Sequence, residues 1–533
     1  MNLPRRISLA VLPLALAAAP RAALATKAIA NWDVVPFQKV ERPMKVGVVA
    51  FHETGVDVVF RVNGREVARA AEPTWNDRTR VHEYWFELDP ADYPDGPLVL
   101  SATAIPDGAG HEPRTLADLT LFANSGGTLT NPKIVWADAE KGHDETGDGS
   151  EAAPFATIRK AVLAAGDGGT VYLKAGRGYK LTAIGGGAFA YWTTVSAAPG
   201  LTADDVHILT AGRDDSSTNR YGKSGIRWKN VSLYCDRERG FGNIFYLGDG
   251  IRAWCDGAVL YDKNGRFGGT TLFNRGICYV TDSLIRDVAN VFGDFHRNVR
   301  MERILSDTFR GRSNLTVINV EIHTVDRGDT GAHPDFFQMH APGEVVENII
   351  LYNVKAIDAQ QQGIFGGPGT NRDIAFVNVL FKKNPPNSPL VSQVGGDWQH
   401  VLLWHTTLVH QSFNFRDASK MRHWDVRNCI FDAFAAGAEN ALPADSQARG
   451  VHVNRLTWQQ RQPLGEGTTV GDPLFMDPAR NDFRLKPESP AAGSGVAVPG
   501  VPADIDGHPY DPNARDRGAL SRRNPGRPFA PAP

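Results

Sequence analysis

The chain has 533 residues, which is too long for one compact domain. Its 57 basic and 59 acidic residues leave a formal net charge of −2, which argues against a nucleic-acid partner. The 42% hydrophobic and 22% charged residues are typical of a soluble, globular protein. After the N-terminus no apolar stretch reaches the length of about 18 residues that spans a bilayer, so we expect no transmembrane segment. We also expect a monomer.

Residues 1–25 contain the three parts of a secretory signal peptide. Arg5 and Arg6 supply the positive charge, a short apolar segment follows, and a small-x-small cleavage site ends at Ala25. The sequence therefore predicts that the mature protein begins near Thr26 and is periplasmic or secreted.

Residues 34–123 contain short runs in which apolar and polar residues alternate, separated by turn-forming residues. Asn63-Gly64, between two such runs, is a strong hairpin signal. The pattern predicts a small immunoglobulin-like β-sandwich that folds separately as a spacer or packing module, with sugar binding as the alternative. A linker rich in Gly, Ser, Thr and Asn follows at 124–132.

Farther along the chain a short pattern recurs: a polar residue, alternating apolar positions, then a polar turn residue. Its copies start 18 to 34 residues apart, a period typical of a solenoid whose copies stack to bury their apolar faces. Frequent Val, Ile, Phe and Thr with two-residue alternation indicate strands, whereas a sandwich would need two-residue hairpin turns. The repeated leading Asn predicts a stacked amide ladder. The copies begin at Asn230, Asp256, Thr281, Met301, Asn319, Asn353, Asn378, Thr406 and Asn428.

The start of the second domain combines a polar loop with a helical pattern. Residues 144–149 match the first positions of a calcium-binding loop, but its twelfth position is Phe155 instead of Glu, so we favour a plain turn. Residues 154–162 then predict a short amphipathic helix, which would cover the open end of a solenoid.

The segment GDGSEAAPFATIRKAV at 147–162, and the later segments DPLF at 472–475 and SPAAG at 489–493, resemble secreted right-handed parallel β-helix proteins of the pectate-lyase-like superfamily. The segments DFRL, DIDG and RGA near the C-terminus share this resemblance. It implies an all-β chain with a right-handed parallel β-helix over about 133–520 and a carbohydrate-active role. Because the superfamily contains lyases, hydrolases, epimerases and non-catalytic proteins, the resemblance does not identify a reaction.

Polar residues recur after successive repeats, and stacking would place them side by side in one surface groove. The intervening Phe295, Phe309 and Phe336 or Phe337 are expected to point inward. A solvated face with structural turn residues is the competing interpretation. The candidate catalytic residues are His333, Asp335, His340 and Asp307, and the candidate substrate-binding residues are Arg310, Arg312, Gln338, Asp294, His296 and Gln362.

The mixture of Arg, His and Gln favours a polysaccharide lyase, which removes the proton beside a uronate carboxyl group by β-elimination. This reaction needs cations or amides to neutralise the carboxylate and a base to take the proton. Arg310, Arg312 and Gln338 fit the first task, and His333 or His340 fits the second. The expected partner is therefore an acidic polysaccharide.

A glycoside hydrolase is the second interpretation, because it needs two carboxylates that flank the scissile bond. Asp307 and Asp335 on neighbouring coils, or Asp294, could supply them. Polysaccharide binding without catalysis is the third interpretation.

The four cysteines do not predict a metal site. Cys235, Cys255 and Cys278 lie 20 and 23 residues apart, near one coil period, and Cys429 is remote. We expect buried, stacked thiols, with a disulfide between neighbouring coils as the alternative. No cofactor is predicted with certainty, and calcium is the one left open.

Overall fold

The computed structural model describes most of the chain between residues 25 and 526. Residues 1–24 of the predicted signal peptide and the candidate His333 lie outside the described residues. Between residues 25 and 526 the positions left out are 183, 186, 211–223, 237–242, 248–249, 265–269, 275, 292, 326–333, 361, 385–391, 438, 458–459 and 461.

Two sheets near the N-terminus, antiparallel except for the pair Lys39–Val40 with Leu119–Ala123, form the predicted small β-sandwich. Its core comes from both sheets and includes Val46, Val58, Phe60 and Leu100, all with at most 2% of their surface exposed. The first sheet contains Ile29–Trp32, Met44–Phe51, Val81–Leu88 and Thr74–Asn76. The second contains Lys39–Val40, Leu119–Ala123, Gly96–Pro106, Val56–Val62, Arg65–Ala70 and Arg114–Thr115.

The second domain is a parallel β-helix, as predicted. Its long sheet winds through successive coils, and every pairing between its described strands is parallel. Its strands are Ile134–Ala137, Thr170–Leu173, Gly176–Leu181, Ala188–Ala197, Val206–Thr210, Ser224–Lys229, Ser232–Cys235, Arg252–Asp256, Val259–Asp262, Ile277–Thr281, Leu284–Arg286, Phe295–Ile304, Thr316–Val325, Val345–Ala359, Thr370–Lys383, Asp397–Trp404, Thr407–Val409, Met421–Arg427, Ile430–Phe431, Gln447–Arg449, His452–Val453 and Thr469–Val470.

A second face of the solenoid carries a shorter parallel sheet, which later holds the candidate site. Its strands are Phe309–Arg310, Asp335–Met339, Gln362–Gly366, Ser392–Val394, Phe413–Phe415 and Phe434–Ala436. Two further pairs are Asn243–Leu247 with Thr270–Asn274, which is parallel, and Phe475–Asp477 with Asp482–Leu485, which is antiparallel. Short 3-10 turns occupy Pro90–Asp92, Ala418–Lys420 and Pro478–Arg480.

The predicted Asn ladder marks one corner of the coils. Asn298, Asn319, Asn353 and Asn378 all have φ between 52° and 56°, the left-handed region that Asn tolerates better than most residues. The side-chain amide of Asn319 donates to Asn298 Oδ1 at 2.7 Å, and that of Asn378 donates to Asn353 Oδ1 at 2.9 Å. These coils therefore turn at the same position, and two pairs of them are linked there by an Asn–Asn hydrogen bond.

The helix Ile158–Ala165 covers the N-terminal end of the solenoid. Asp144 stabilises the loop before this helix, because its carboxylate accepts hydrogen bonds from the Ala156 and Thr157 amides and from the Thr157 hydroxyl at 2.6–3.0 Å. Thr157 in turn caps the helix. All four cysteines are buried free thiols, in agreement with the expectation from the sequence.

The sandwich packs against the outer flank of the long sheet. Phe51, at the end of a sandwich strand, lies edge-on against Tyr352 and Trp404 of the solenoid, with ring centroids 5.1 and 6.3 Å apart. Val501 and Tyr510 of the C-terminal segment belong to the same buried apolar cluster. The composition of the sequence did not reveal this contact, which joins the two domains into one packed unit.

Charged groups also cross this junction. Arg114 of the sandwich pairs with Asp373 of the solenoid, and Glu53 Oε2 lies 3.1 Å from His400 Nε2. Burial alone would lower the pKa of His400, but its hydrogen bonds to Asp373 and Glu53 raise this pKa to about 9. The imidazole is therefore a charged link between the domains at neutral pH.

We predict that Phe51→Ala lowers the free energy of unfolding by about 3–5 kcal/mol, because it opens a cavity in the shared cluster. Denaturant unfolding followed by circular dichroism measures this loss. Val99→Ala, on an exposed sandwich position, is the control and should change stability by less than about 0.5 kcal/mol. Equal effects of the two substitutions would show that the domains do not depend on this contact.

Deletion of the residues before Pro132 should likewise expose the apolar flank of the long sheet and cause the remaining protein to aggregate.

Candidate active site on the short sheet

One column of residues along the short sheet is mostly polar, and Arg310, Gln338, Phe365 and Asn414 of this column are at least partly exposed. The strand register aligns Arg310 with Gln338, Gln338 with Phe365, Phe365 with Gln393, and Gln393 with Asn414. Arg310 is exposed, whereas Gln338, Phe365 and Asn414 are half-buried. Successive members lie about 4.8 Å apart, as neighbouring strands do. The face therefore presents a cation, amides and an aromatic ring in a line that crosses several coils.

A hydrogen-bonded chain fixes the first part of this column. Arg310 Nε and Nη2 donate to Gln338 Oε1 at 3.2 and 2.8 Å, and Gln338 Nε2 donates to Asp335 Oδ2 at 2.8 Å. The two contacts use the oxygen and the nitrogen of one amide, so they define its orientation. The guanidinium is therefore held in place through Gln338 by a buried carboxyl group.

Asp335 and Asp307 form a buried carboxyl pair beneath this chain. The Asp335 backbone amide donates to Asp307 Oδ1 at 3.1 Å, and the Thr308 amide donates to the Asp335 carbonyl at 2.9 Å. Burial, and next the charge of Asp307, raise the pKa of Asp335 to about 7 against the opposing effects of Gln338 and Arg310. A carboxyl group with such a pKa can exchange a proton near neutral pH.

Arg312 and His340 lie beyond the strand ends on the same two coils. The Gly311 amide donates to the Gln338 carbonyl at 2.9 Å, so the two segments stay aligned up to the strand ends, which Arg312 and His340 follow. Arg312 Nη1 pairs with Asp294 Oδ1 at 3.0 Å. Burial raises the pKa of Asp294, and the charge of Arg312 partly offsets that effect. His340 is exposed.

Two candidate residues are placed in the interior. His296 is fully buried next to Phe309, with ring centroids 5.7 Å apart, and burial lowers the pKa of His296 to about 4. The structure thus places this neutral imidazole in the core of the solenoid. Gln362 is only 4% exposed and lies opposite Asp335, where its backbone amide donates to the Pro334 carbonyl.

The expectation that all these phenylalanines point into the solenoid is wrong for Phe295. Phe309, Phe336 and Phe337 are core residues, as predicted, but Phe295 packs with Val35 of the sandwich in a separate cluster. Since neighbouring residues of a strand face opposite sides, the outward Phe295 requires His296 to point inward.

The structure brings together Asp307, Asp335, Gln338 and Arg310, with Arg312 and His340 alongside. Sequence reasoning missed Phe365 and Asn414 of the outward column. The sequence did contain a usable signal for Phe365. The segment Gln-Gly-Ile-Phe-Gly at 362–366 follows the segment Asp-Phe-Phe-Gln-Met one coil later, and in this alignment Phe365 takes the place of Gln338.

Comparison with known proteins assigns no family. A scan against protein-family models finds no match, and a search of curated proteins finds none either. Among the described residues, no helix has the length and apolar character needed to cross a membrane.

We predict that Asp335→Asn changes the pH dependence of stability. A carboxyl pKa raised on folding contributes stability that is fully present below the unfolded value near 3.8 and is lost as the pH rises through about 7. The Asn variant has no such loss, so it should match the wild type near pH 4 and be more stable at pH 8 by up to roughly 4 kcal/mol.

Denaturant unfolding at pH 4, 6 and 8 tests this prediction. Asp118→Asn, which alters an exposed carboxylate of the sandwich, is the control. A difference between Asp335→Asn and the wild type that stays constant with pH would contradict the raised pKa.

Proposed function

We propose that the protein binds an acidic, uronate-containing polysaccharide along the outward column of the short sheet and cleaves it by β-elimination. The observation that carries this proposal is the pair of cations Arg310 and Arg312 on one coil beside Gln338 and His340 on the next. Arginine keeps its charge at any working pH and its planar group matches a carboxylate, so this surface suits an anionic sugar.

The chain supplies each group that the elimination needs. Arg310 and Arg312 would neutralise the uronate carboxylate, and the Gln338 amide lies between the Arg310 side chain and Asp335. His340 would accept the proton from C5 and pass it to O4 as the C4–O4 bond breaks, which leaves a C4–C5 double bond and a protonated leaving oxygen. Asp335 is a positioning residue in this scheme, because it orients Gln338. Phe365, one coil farther, offers a ring against which a sugar can pack.

Hydrolysis is the second candidate function, and the carboxyl pair favours it. A pKa of about 7 for Asp335 beside Asp307 is the pattern of an acid and a base with separated pKa values. Both groups are at least nine-tenths buried, whereas the cations and His340 are more accessible, so we place elimination first.

We also propose that the protein is exported through the signal at 1–25, which would bring it to extracellular polymers. Calcium is not required by any residue in the scheme above.

The test of the reaction is incubation with uronate-containing polymers while the ultraviolet absorbance of a 4,5-unsaturated uronate is followed. We expect the chromophore to appear together with new reducing ends. Reducing ends without the chromophore would identify a hydrolase, and binding without either product would identify a non-catalytic polysaccharide-binding protein.

His340→Ala should lower turnover by roughly 10²–10⁴-fold with little change in thermal midpoint, since it removes an exposed acid–base group. Arg310→Ala should mainly weaken binding of anionic polymers. The matched controls are His143→Ala and Arg480→Ala, which alter exposed residues away from the short sheet. Normal turnover in His340→Ala would remove this histidine from the mechanism.

Gly367→Ala tests the position of His340 without altering the imidazole itself. A Cβ at this glycine would lie 2.7 Å from His340 Nδ1, so the ring must move. A displacement of about 1 Å can cost roughly 100-fold in rate, and we expect a loss of that order in kcat. Gly176→Ala, whose Cβ would meet nothing nearer than 3.7 Å, is the control. Equal kcat values for the two variants would contradict a catalytic placement of His340.

A further inference from the structure

A cluster of residues with metal-ligating side chains lies at the junction of the two domains. His52 and Glu53 directly follow the strand Met44–Phe51, and His111 lies in the loop after Gly96–Pro106. One ligand atom from each of the three side chains can be chosen so that all lie within 4.8 Å of one another. His52 is buried, and Glu53 and His111 are half-buried. None of these residues belongs to the candidate polysaccharide site.

The three side chains converge on one hydroxyl oxygen. Thr26 Oγ1 lies 2.9 Å from His52 Nε2, 2.8 Å from Glu53 Oε1 and 2.9 Å from His111 Nδ1. A hydroxyl group has one proton to donate, and Glu53 accepts it. The Thr26 oxygen can therefore only accept hydrogen bonds from the two imidazole nitrogens. A cation among the four atoms would instead be bound by their lone pairs.

The contacts of the outer nitrogen of His52 distinguish the tautomer that can bind a cation from the one that cannot. His52 Nδ1 lies 2.8 Å from Thr54 Oγ1, and that hydroxyl donates its own proton to the Asp107 carbonyl at 2.7 Å. The tautomer in which Nδ1 donates to Thr54 Oγ1 leaves the lone pair of Nε2 directed at Thr26, as a bound cation requires. The Thr54 backbone amide also donates to Nδ1 at 3.3 Å, and Nε2 lies 3.3 Å from Glu53 Oε2, so in the other tautomer Nε2 donates into the cluster. A polar partner on the outer nitrogen is the usual support for a metal-binding imidazole.

We propose that His52 Nε2, His111 Nδ1 and Glu53 Oε1 bind a divalent transition-metal cation, with the Thr26 hydroxyl or a water as the fourth ligand. Two imidazoles and one carboxylate form a donor set that suits Zn²⁺ in tetrahedral coordination. The cation would replace the hydroxyl proton as the group shared by the cluster, and small inward shifts of the side chains would bring the ligands to bonding distance.

The solenoid would provide the outer support of this site. Glu53 Oε2 contacts His400 Nε2 at 3.1 Å, His400 Nδ1 contacts Asp373 Oδ1 at 2.8 Å, and Asp373 pairs with Arg114. The cation would thus join the N-terminal segment, a strand end and a loop of the sandwich, and would act on the solenoid through His400. A cavity of about 280 Å³, lined in part by Thr26, Asp373 and His400, lies beside the cluster and offers a route for the ion. The bound cation would hold the sandwich on the solenoid.

The experiment uses the full chain after treatment with a chelator, titrated with Zn²⁺ by calorimetry and with Co²⁺ by visible absorption. We expect one equivalent of Zn²⁺, the absorption bands of four-coordinate Co²⁺, and a higher thermal midpoint with metal. His111→Ala and Glu53→Gln should each weaken Zn²⁺ binding at least 100-fold and abolish the metal-dependent shift of the midpoint. His143→Ala, which removes an exposed histidine elsewhere, should bind as the wild type does.

Failure of the wild-type chain to bind one equivalent would overturn the proposal and leave a purely hydrogen-bonded cluster. Wild-type affinity in both variants would also overturn it, because the metal would then bind elsewhere. If His111→Ala does not fold, Glu53→Gln decides the question, since an amide preserves the shape of the side chain. These outcomes are independent of the polysaccharide assay.

Discussion

The rest of the structure depends on how each coil turns at a fixed corner. A residue there must adopt a left-handed backbone conformation, which costs most residues about 1–2 kcal/mol but costs Asn and Gly less. Asn319, Asn353 and Asn378 occupy this position in consecutive coils, and Gly257 and Gly450 have the same positive φ at repeat turns elsewhere. The side chains of Asn319 and Asn378 also hydrogen-bond to the coil before, so one residue type both makes the turn and helps to fix the register.

A fixed register gives each position along the coil a single environment. Positions that point inward form continuous buried columns, such as Val280, His296 and Val317, in which the apolar valines flank the imidazole. Positions that point outward on the short sheet form the column that contains Arg310 and Gln338. A column of aligned polar groups therefore needs no further structural feature. It follows from stacking repeats that carry polar residues at one outward position.

This logic explains which features could be predicted from the sequence. The repeat period, the Asn corners and the cluster around Asp335 were visible because each leaves a local pattern. The inward direction of His296 was not visible, because a strand residue changes face with a shift of one position. Phe295 looked like a core residue, and it is buried, but by the sandwich and not by the interior of the solenoid. The period of the sequence alone cannot distinguish apolar residues on an outer face that another domain covers from apolar residues in the interior of the solenoid.

The packing of the sandwich also determines which face of the solenoid stays exposed. Tyr352 and Trp404 point outward from the long sheet, yet both are at most 1% exposed because the sandwich and the C-terminal segment cover them. The short sheet keeps Arg310 exposed and Gln338 and Phe365 partly exposed. The sandwich therefore covers one flank with apolar contacts, and the polar column of the other face stays at the surface. The buried charges at the junction, Glu53, His400 and Asp373, must be fully paired for this arrangement to be stable, since an unpaired buried charge costs several kcal/mol. His400 meets that requirement by contacting a carboxylate from each domain, so the electrostatics of the junction favour one docked position over others.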